Sequence, residues 1–143
     1  MRKERKKWKK LCTQVDAIWF VFSLTDFSMV CYEDYTVNRM NDDLALFGEW
    51  INSKELEKPR IELVFSRKDQ FKELLQKEAS LSILKSLLPT LDETRVLESI
   101  SDRFLELDRE KRVKAVHYVN IIDRGDVESL LDKGINTLVS ERF

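Results

Sequence analysis

The 143 residues predict an α/β domain built on three parallel strands with flanking helices. Two observations carry this. Three apolar runs of strand length alternate with amphipathic segments of helical period, and no hairpin-type turn joins consecutive runs. Glycine and proline are also scarce, three and two, which argues against a turn-rich all-β fold. With 43% hydrophobic and 36% charged residues the chain reads as one globular domain with an ordinary core.

The elements follow in order. Residues 3–14 read as a helix, with Trp8, Leu11 and Cys12 at i, i+3, i+4 on one face. Ala17 to Leu24, A-I-W-F-V-F-S-L, is a continuous apolar run closed by Thr25-Asp26, the pattern of a buried strand. Residues 34–52 read as a long amphipathic helix on Met40, Leu44, Phe47 and Ile51, with Asp34 as N-cap. Ile61 to Phe65 is the second strand. Residues 68–78 read as helix, running into a loop that holds Pro89. Residues 92–108 form a helix on Val96, Ile100, Phe104 and Leu107, with Asp92 as its cap. Ala115 to Ile122 is the third strand, and Asp126 to Val139 the last helix.

Several classes are excluded. The longest apolar stretch, Ala17 to Leu24, falls far short of the roughly 20 residues of a membrane helix. No apolar signal core follows the basic start, and Met1 is followed by Arg2, so neither secretion nor myristoylation is signalled. Cys12 and Cys31 lie in apolar surroundings without metal-type spacing and read as buried thiols of a reducing cytosol. No metal set and no Cys-His or Ser-His-Asp set is suggested. His117, the only histidine, reads as a core or rim residue.

The net charge of −1 conceals an asymmetry. Residues 2–10 hold seven bases (Arg2, Lys3, Arg5, Lys6, Lys7, Lys9, Lys10) and one acid, Glu4. Taking these from totals of 25 bases and 26 acids leaves 18 and 25, a net of −7. The basic helix reads as a solvated face with Trp8 packed inward; nucleic acid and acidic lipid are the other partners its charge would suit.

The segment Ile61 to Asp69, I-E-L-V-F-S-R-K-D, has the form of a buried strand delivering a carboxylate to the mouth of an α/β sheet. On pattern alone Asp69 caps the following helix. Its neighbourhood says more. Glu4-Arg5-Lys6-Lys7-Trp8, Ala17 to Leu24 with Asp26-Phe27, Asn38-Arg39-Met40, Phe65-Ser66-Arg67-Lys68-Asp69-Gln70-Phe71, and His117-Tyr118 with Asp123 occur in one order and spacing. Together they resemble the second half of the GTPase domain of heterotrimeric G-protein alpha subunits, from the switch II helix to the last helix.

The resemblance implies a partial P-loop GTPase (Ras-like) domain lacking its N-terminal half, with residues 1–143 as a single unit. It implies a guanine-nucleotide (GTP or GDP) site at Ser66, Arg67, Lys68, Asp69 and Ile121. Asp69 would accept hydrogen bonds from guanine N1–H and the N2 amine, which adenine does not offer. Arg67 would stack over the base. Ser66 replaces the family's asparagine, and Ile121 stands for a small residue whose N–H meets the base. It further implies βγ, receptor or effector as partners, met through Arg5, Lys6, Lys7 and Trp8. The expected location is cytoplasmic, at the inner face of the plasma membrane through partners. Against this, G-x-x-x-x-G-K-[ST] does not occur in the chain, nor does the segment carrying the family's catalytic arginine. The expectation is therefore weak or lost nucleotide binding, no Mg²⁺, no catalytic residue and no GTP hydrolysis. No nucleic-acid partner is expected. A strand like Ala17–Leu24 without its family neighbour leaves an apolar edge that invites self-association.

Overall fold

A computed structural model describes residues 2–29 and 37–120, with side chains from residue 6 onward. Among the described residues the elements run α1 (Arg2–Cys12), β1 (Ala17–Ser23), α2 (Arg39–Ile51), β2 (Arg60–Ser66), α3 (Lys68–Leu75), α4 (Glu78–Leu87), α5 (Val96–Leu105) and β3 (Val113–Tyr118). Short 3-10 turns lie at Asp26–Ser28 and Lys54–Leu56. The strands form one sheet in the order β1-β2-β3, all parallel. The expected fold class is the observed one.

β2 sits between its neighbours and is buried on both faces from Ile61 to Ser66. Its β-branched and aromatic residues suit that position. Alternation along the strand separates two environments. Ile61, Leu63 and Phe65 join Phe20 and Phe22 of β1 in the main core beneath α2 and α5. Phe104 of α5 is its hub, with ring centres 5.0 Å from Phe22, 5.2 Å from Phe65 and 5.6 Å from Phe47. The opposite face carries Trp19, Val64 and Val119.

The expected apolar stripes of α2 and α5 hold. Met40, Leu44, Phe47 and Ile51 are buried, as are Ile100 and Phe104, with Val96 and Leu107 packed against them. Their starts differ. α2 begins at Arg39, where the Asn38 side chain accepts from the Met40 N–H at 2.8 Å; Asp34 lies outside the described residues. Asp92 caps no helix: its carboxylate accepts from the Thr94 N–H and hydroxyl and shapes a turn ahead of α5. The loop expected after residue 78 is a further helix, α4, which buries Ser80 and Leu84; extended backbone at Lys77 separates it from α3. β3 runs Val113–Tyr118 rather than 115–122, and the expected last helix, 126–139, falls outside the described residues.

The orientation of α1 overturns an expectation. Trp8 is 61% exposed and Leu11 49%. Lys9 points inward instead, its Nζ 3.0 Å from the Glu49 carboxylate and 5.7 Å from the centre of the Trp50 ring. Ion pairing and the cation–π contact hold the lysine stem against α2. Cys12 packs partly buried at the core margin, so it is not the fully buried thiol expected, and Cys31 lies outside the described residues.

One carboxylate pair joins the first turn to α2. Burial, a hydrogen bond with Asp26 and the charges of Asp26 and Asp42 push the Asp43 carboxyl up to about 9, against the pull of Arg39. Its uncharged form is the one the fold favours. That contribution is complete below the ordinary aspartate range and drains away as pH rises through it towards about 9. Asp43→Asn keeps a donor for Asp26 without the titration. Thermal melts between about pH 5 and pH 8 should show the variant gaining on the parent by several degrees as pH rises. Parallel profiles would contradict this reading. Phe104→Ala is expected to cost about 3–5 kcal/mol in urea unfolding, and Val21→Ala, at the half-exposed β1 edge, less than about 0.5.

Candidate functional site: the strand ends and the outer face of α1

The carboxyl ends of β2 and β3 are drawn together by backbone hydrogen bonds. Val119 N–H donates to Phe65 C=O at 2.8 Å, and Lys68 N–H donates to Val119 C=O at 3.3 Å. On the other flank Leu24 N–H donates to Ser66 C=O at 3.0 Å. Ser66 itself is buried, its hydroxyl directed at Phe22 C=O, 3.4 Å away, so it braces β1. The chain then turns through Arg67 in the left-handed region (φ 61°), a conformation unusual for a side chain with a Cβ. This turn places Lys68 and Asp69 in the first turn of α3.

The expected guanine residues are thus adjacent but not equivalent. Asp69 is exposed at the mouth, and it caps nothing: its Oδ2 accepts from Asn120 Nδ2 at 2.5 Å. Arg67 is exposed, with Nη1 3.2 Å from Gln70 Oε1, and lines an open groove of about 350 Å³ with Thr25, Ser28, Met29 and Lys77. Ile121 lies outside the described residues. Asn120 carried no sequence signal as a site residue, because nothing in the spacing reveals that its amide reaches across to α3.

A family model described as the G-protein alpha subunit matches residues 1–138. The chain belongs to the G-protein alpha-subunit family. It is 30% identical over 146 residues to the guanine nucleotide-binding protein alpha-2 subunit of Caenorhabditis elegans, and 28% identical over 147 residues to the G-protein complex alpha subunit gpaA of Aspergillus fumigatus. Each alignment takes in 99% of this chain and 40% of the relative, so the chain spans about two-fifths of the alpha subunits it matches.

Two further features belong to this alpha-subunit segment. On α1 the solvent-facing side combines Lys6, Lys7 and Lys10 with Trp8 and Leu11, and Val15 just beyond the helix is 44% exposed. Arg5 lies on the same helix. On the sheet face opposite the main core, Glu62 of β2 is only 2% exposed and bridges all three strands. It accepts from Trp19 Nε1 at 2.8 Å and pairs with His117 Nε2 at 3.0 Å. Burial acts to raise the Glu62 pKa, but the hydrogen bonds from His117 and Trp19 and the charge of Arg60 outweigh it and hold the carboxyl below its usual range. Glu62 was hidden in the sequence inside an apolar run. Its partner His117 is half-buried, as a rim residue should be, with a carboxylate mate the sequence did not reveal.

Among the described residues no helix is long and apolar enough to cross a membrane, and no group of three or more His, Cys, Asp or Glu side chains is arranged to hold a metal.

The Glu62 bridge has a direct test. His117→Phe leaves a buried carboxylate with one partner fewer and is expected to cost about 1–3 kcal/mol in chemical unfolding. Pairing it with Glu62→Leu removes both halves and should recover most of the loss. A double variant as unstable as the single one would show that the bridge is not what His117 supplies.

Proposed function

We propose that this chain is a G-protein alpha-subunit-like transducer of receptor signalling that acts by binding rather than by hydrolysing GTP, with α1 as its docking surface for a βγ pair. The observation that carries this is the outward display of Trp8, 61% exposed, on a helix whose other outward residues are Lys6, Lys7, Lys10 and Leu11. A large aromatic kept in water by a helix anchored through Lys9 is what a docking surface needs. Aromatic anchors ringed by charge dominate binding energies at protein interfaces. The inward Lys9 contacts give the helix a defined position before any partner arrives, which lowers the ordering cost of association.

Guanine-nucleotide binding by these residues is proposed to be weak. Ser66 is turned into the sheet, and the Asp69 carboxylate is engaged within the chain. The 143 residues hold no G-x-x-x-x-G-K-[ST] string, so nucleotide held by this segment alone would rest on base contacts. The proposed location is the cytoplasmic face of the plasma membrane, reached through partners. Self-association along β1, an edge strand among the described residues, is a further proposal, and it predicts concentration-dependent sedimentation.

Capture on immobilised βγ tests the central reading. The parent chain is expected to bind, Trp8→Ala to weaken binding at least about tenfold as hot-spot truncations do, and Lys6→Glu to slow association in a salt-dependent manner. Undiminished capture by both variants would remove α1 as the docking surface. Titration with labelled GDP and GTP should give dissociation constants near millimolar or weaker, and micromolar binding would refute the weak-site reading.

A further inference from the structure

We propose that the outward face of α1 meets an anionic lipid bilayer directly, with Trp8 and Leu11 entering the headgroup region and Lys6, Lys7 and Lys10 drawn to acidic headgroups. The inference goes beyond the βγ reading and does not rest on it: it concerns what the same face meets when no protein covers it.

Charge supplies the attraction and the orientation. Residues 2–10 carry seven bases and one acid, whereas the rest of the chain is net −7. A chain divided in this way turns its basic end towards an anionic plane and its acidic body away from it. Between residues 6 and 16 the only acid is Asp16, at the far end of the stretch.

The fold supplies the placement. Lys9 is turned inward to Glu49 and Trp50, and Cys12 packs at the core margin, so α1 lies along the domain with one side committed to it. The free side carries Trp8 and Leu11 about a turn apart, with the exposed Lys7 and Lys10 beside them and Lys6 a turn from Lys10. Val15, in the connection to β1, adds a third exposed apolar side chain. An indole has an apolar body and a polar N–H, which suits the boundary between headgroups and acyl chains. Lysine stems run along apolar surface while their ammonium groups reach outwards to phosphate and carboxylate. Leu11 and Val15 select among polyanions: nucleic acid offers phosphates and rings for stacking, but no hydrocarbon depth for an aliphatic side chain. The face is one short helix wide, so binding is reversible and needs charge and apolar insertion together.

The test mixes the full chain with vesicles of phosphatidylcholine alone, or of phosphatidylcholine with about 30% phosphatidylserine. Cosedimentation is expected with the anionic vesicles at least about tenfold more strongly than with the neutral ones, and it should fall as salt is raised. Trp8→Ala should weaken it at least about fivefold at unchanged melting temperature, because Trp8 already stands in water. Lys7→Gln should weaken it about fivefold. Lipids brominated on their acyl chains should quench tryptophan emission of the parent and leave that of Trp8→Phe unquenched, since Trp19 and Trp50 pack within the domain. Equal sedimentation with both vesicle types, unaltered binding by Trp8→Ala, or tighter binding to duplex DNA than to the anionic vesicles at the same salt would each overturn the inference, the last by assigning the face to nucleic acid. None of these measurements contains βγ. A chain that sediments with anionic vesicles yet is not captured on βγ keeps this inference and overturns the docking reading; the opposite pair of results does the reverse.

Discussion

Strand β2 is the element on which everything else depends. It is buried on both faces and hydrogen-bonded on both edges, so each of its residues meets protein whichever way it points. Ile61, Leu63 and Phe65 tie it to the aromatic core around Phe104. Glu62 and Val64 secure the other face, one through polar bonds to both neighbouring strands and one through apolar packing. A buried carboxylate in a central strand is costly unless every bond it needs is made, and Trp19 and His117 supply them. The result is a rigid strand whose end projects Arg67, Lys68 and Asp69 at a fixed place.

The two candidate surfaces lie on different supports. The strand-end loops are held by backbone bonds across all three strands, so their geometry follows from the sheet. α1 is held from the side by the inward Lys9 and by its packing on the Lys54–Leu56 turn, with Cys12 at the core margin. That anchoring frees Trp8 and Leu11 from core duty and leaves them on a basic surface. The charge asymmetry of the chain thereby acquires a position: basic residues of α1 stand on one flank of a domain whose remainder is net acidic. Membership of the G-protein alpha-subunit family unites both surfaces in one reading, because the helix and the strand-end loop fall within the same matched segment.

Much of the architecture was legible from residue order alone. The three apolar runs, the stripes of α2 and α5 and the parallel order depend on periodicity, which is a local property, and the structure bears them out. Element starts were read less well, because caps depend on one side chain: Asn38 caps α2, and Asp92 shapes a turn. α4 was missed because Lys77 breaks a helical pattern without glycine or proline to mark the break. At the candidate site the sequence located Ser66 to Asp69 and offered chemistry for Arg67 and Asp69. It had no means of showing that Ser66 faces inward or that Asp69 is already partnered.

By itself, then, the sequence determined the α/β class, the family and the position of the strand-end carboxylate, since these rest on local periodicity and motif spacing. Tertiary structure decided which way α1 faces, and that the carboxylate of Asp69 meets Asn120 across the strand ends. Both outcomes hang on pairings between distant residues, Lys9 with Glu49 and Asn120 with Asp69. A helix with apolar and cationic sides can dock either one, and only its neighbour's charge selects between them. A carboxylate at a strand end accepts whichever donor the fold brings nearest, and here the parallel register of β2 and β3 brings an asparagine.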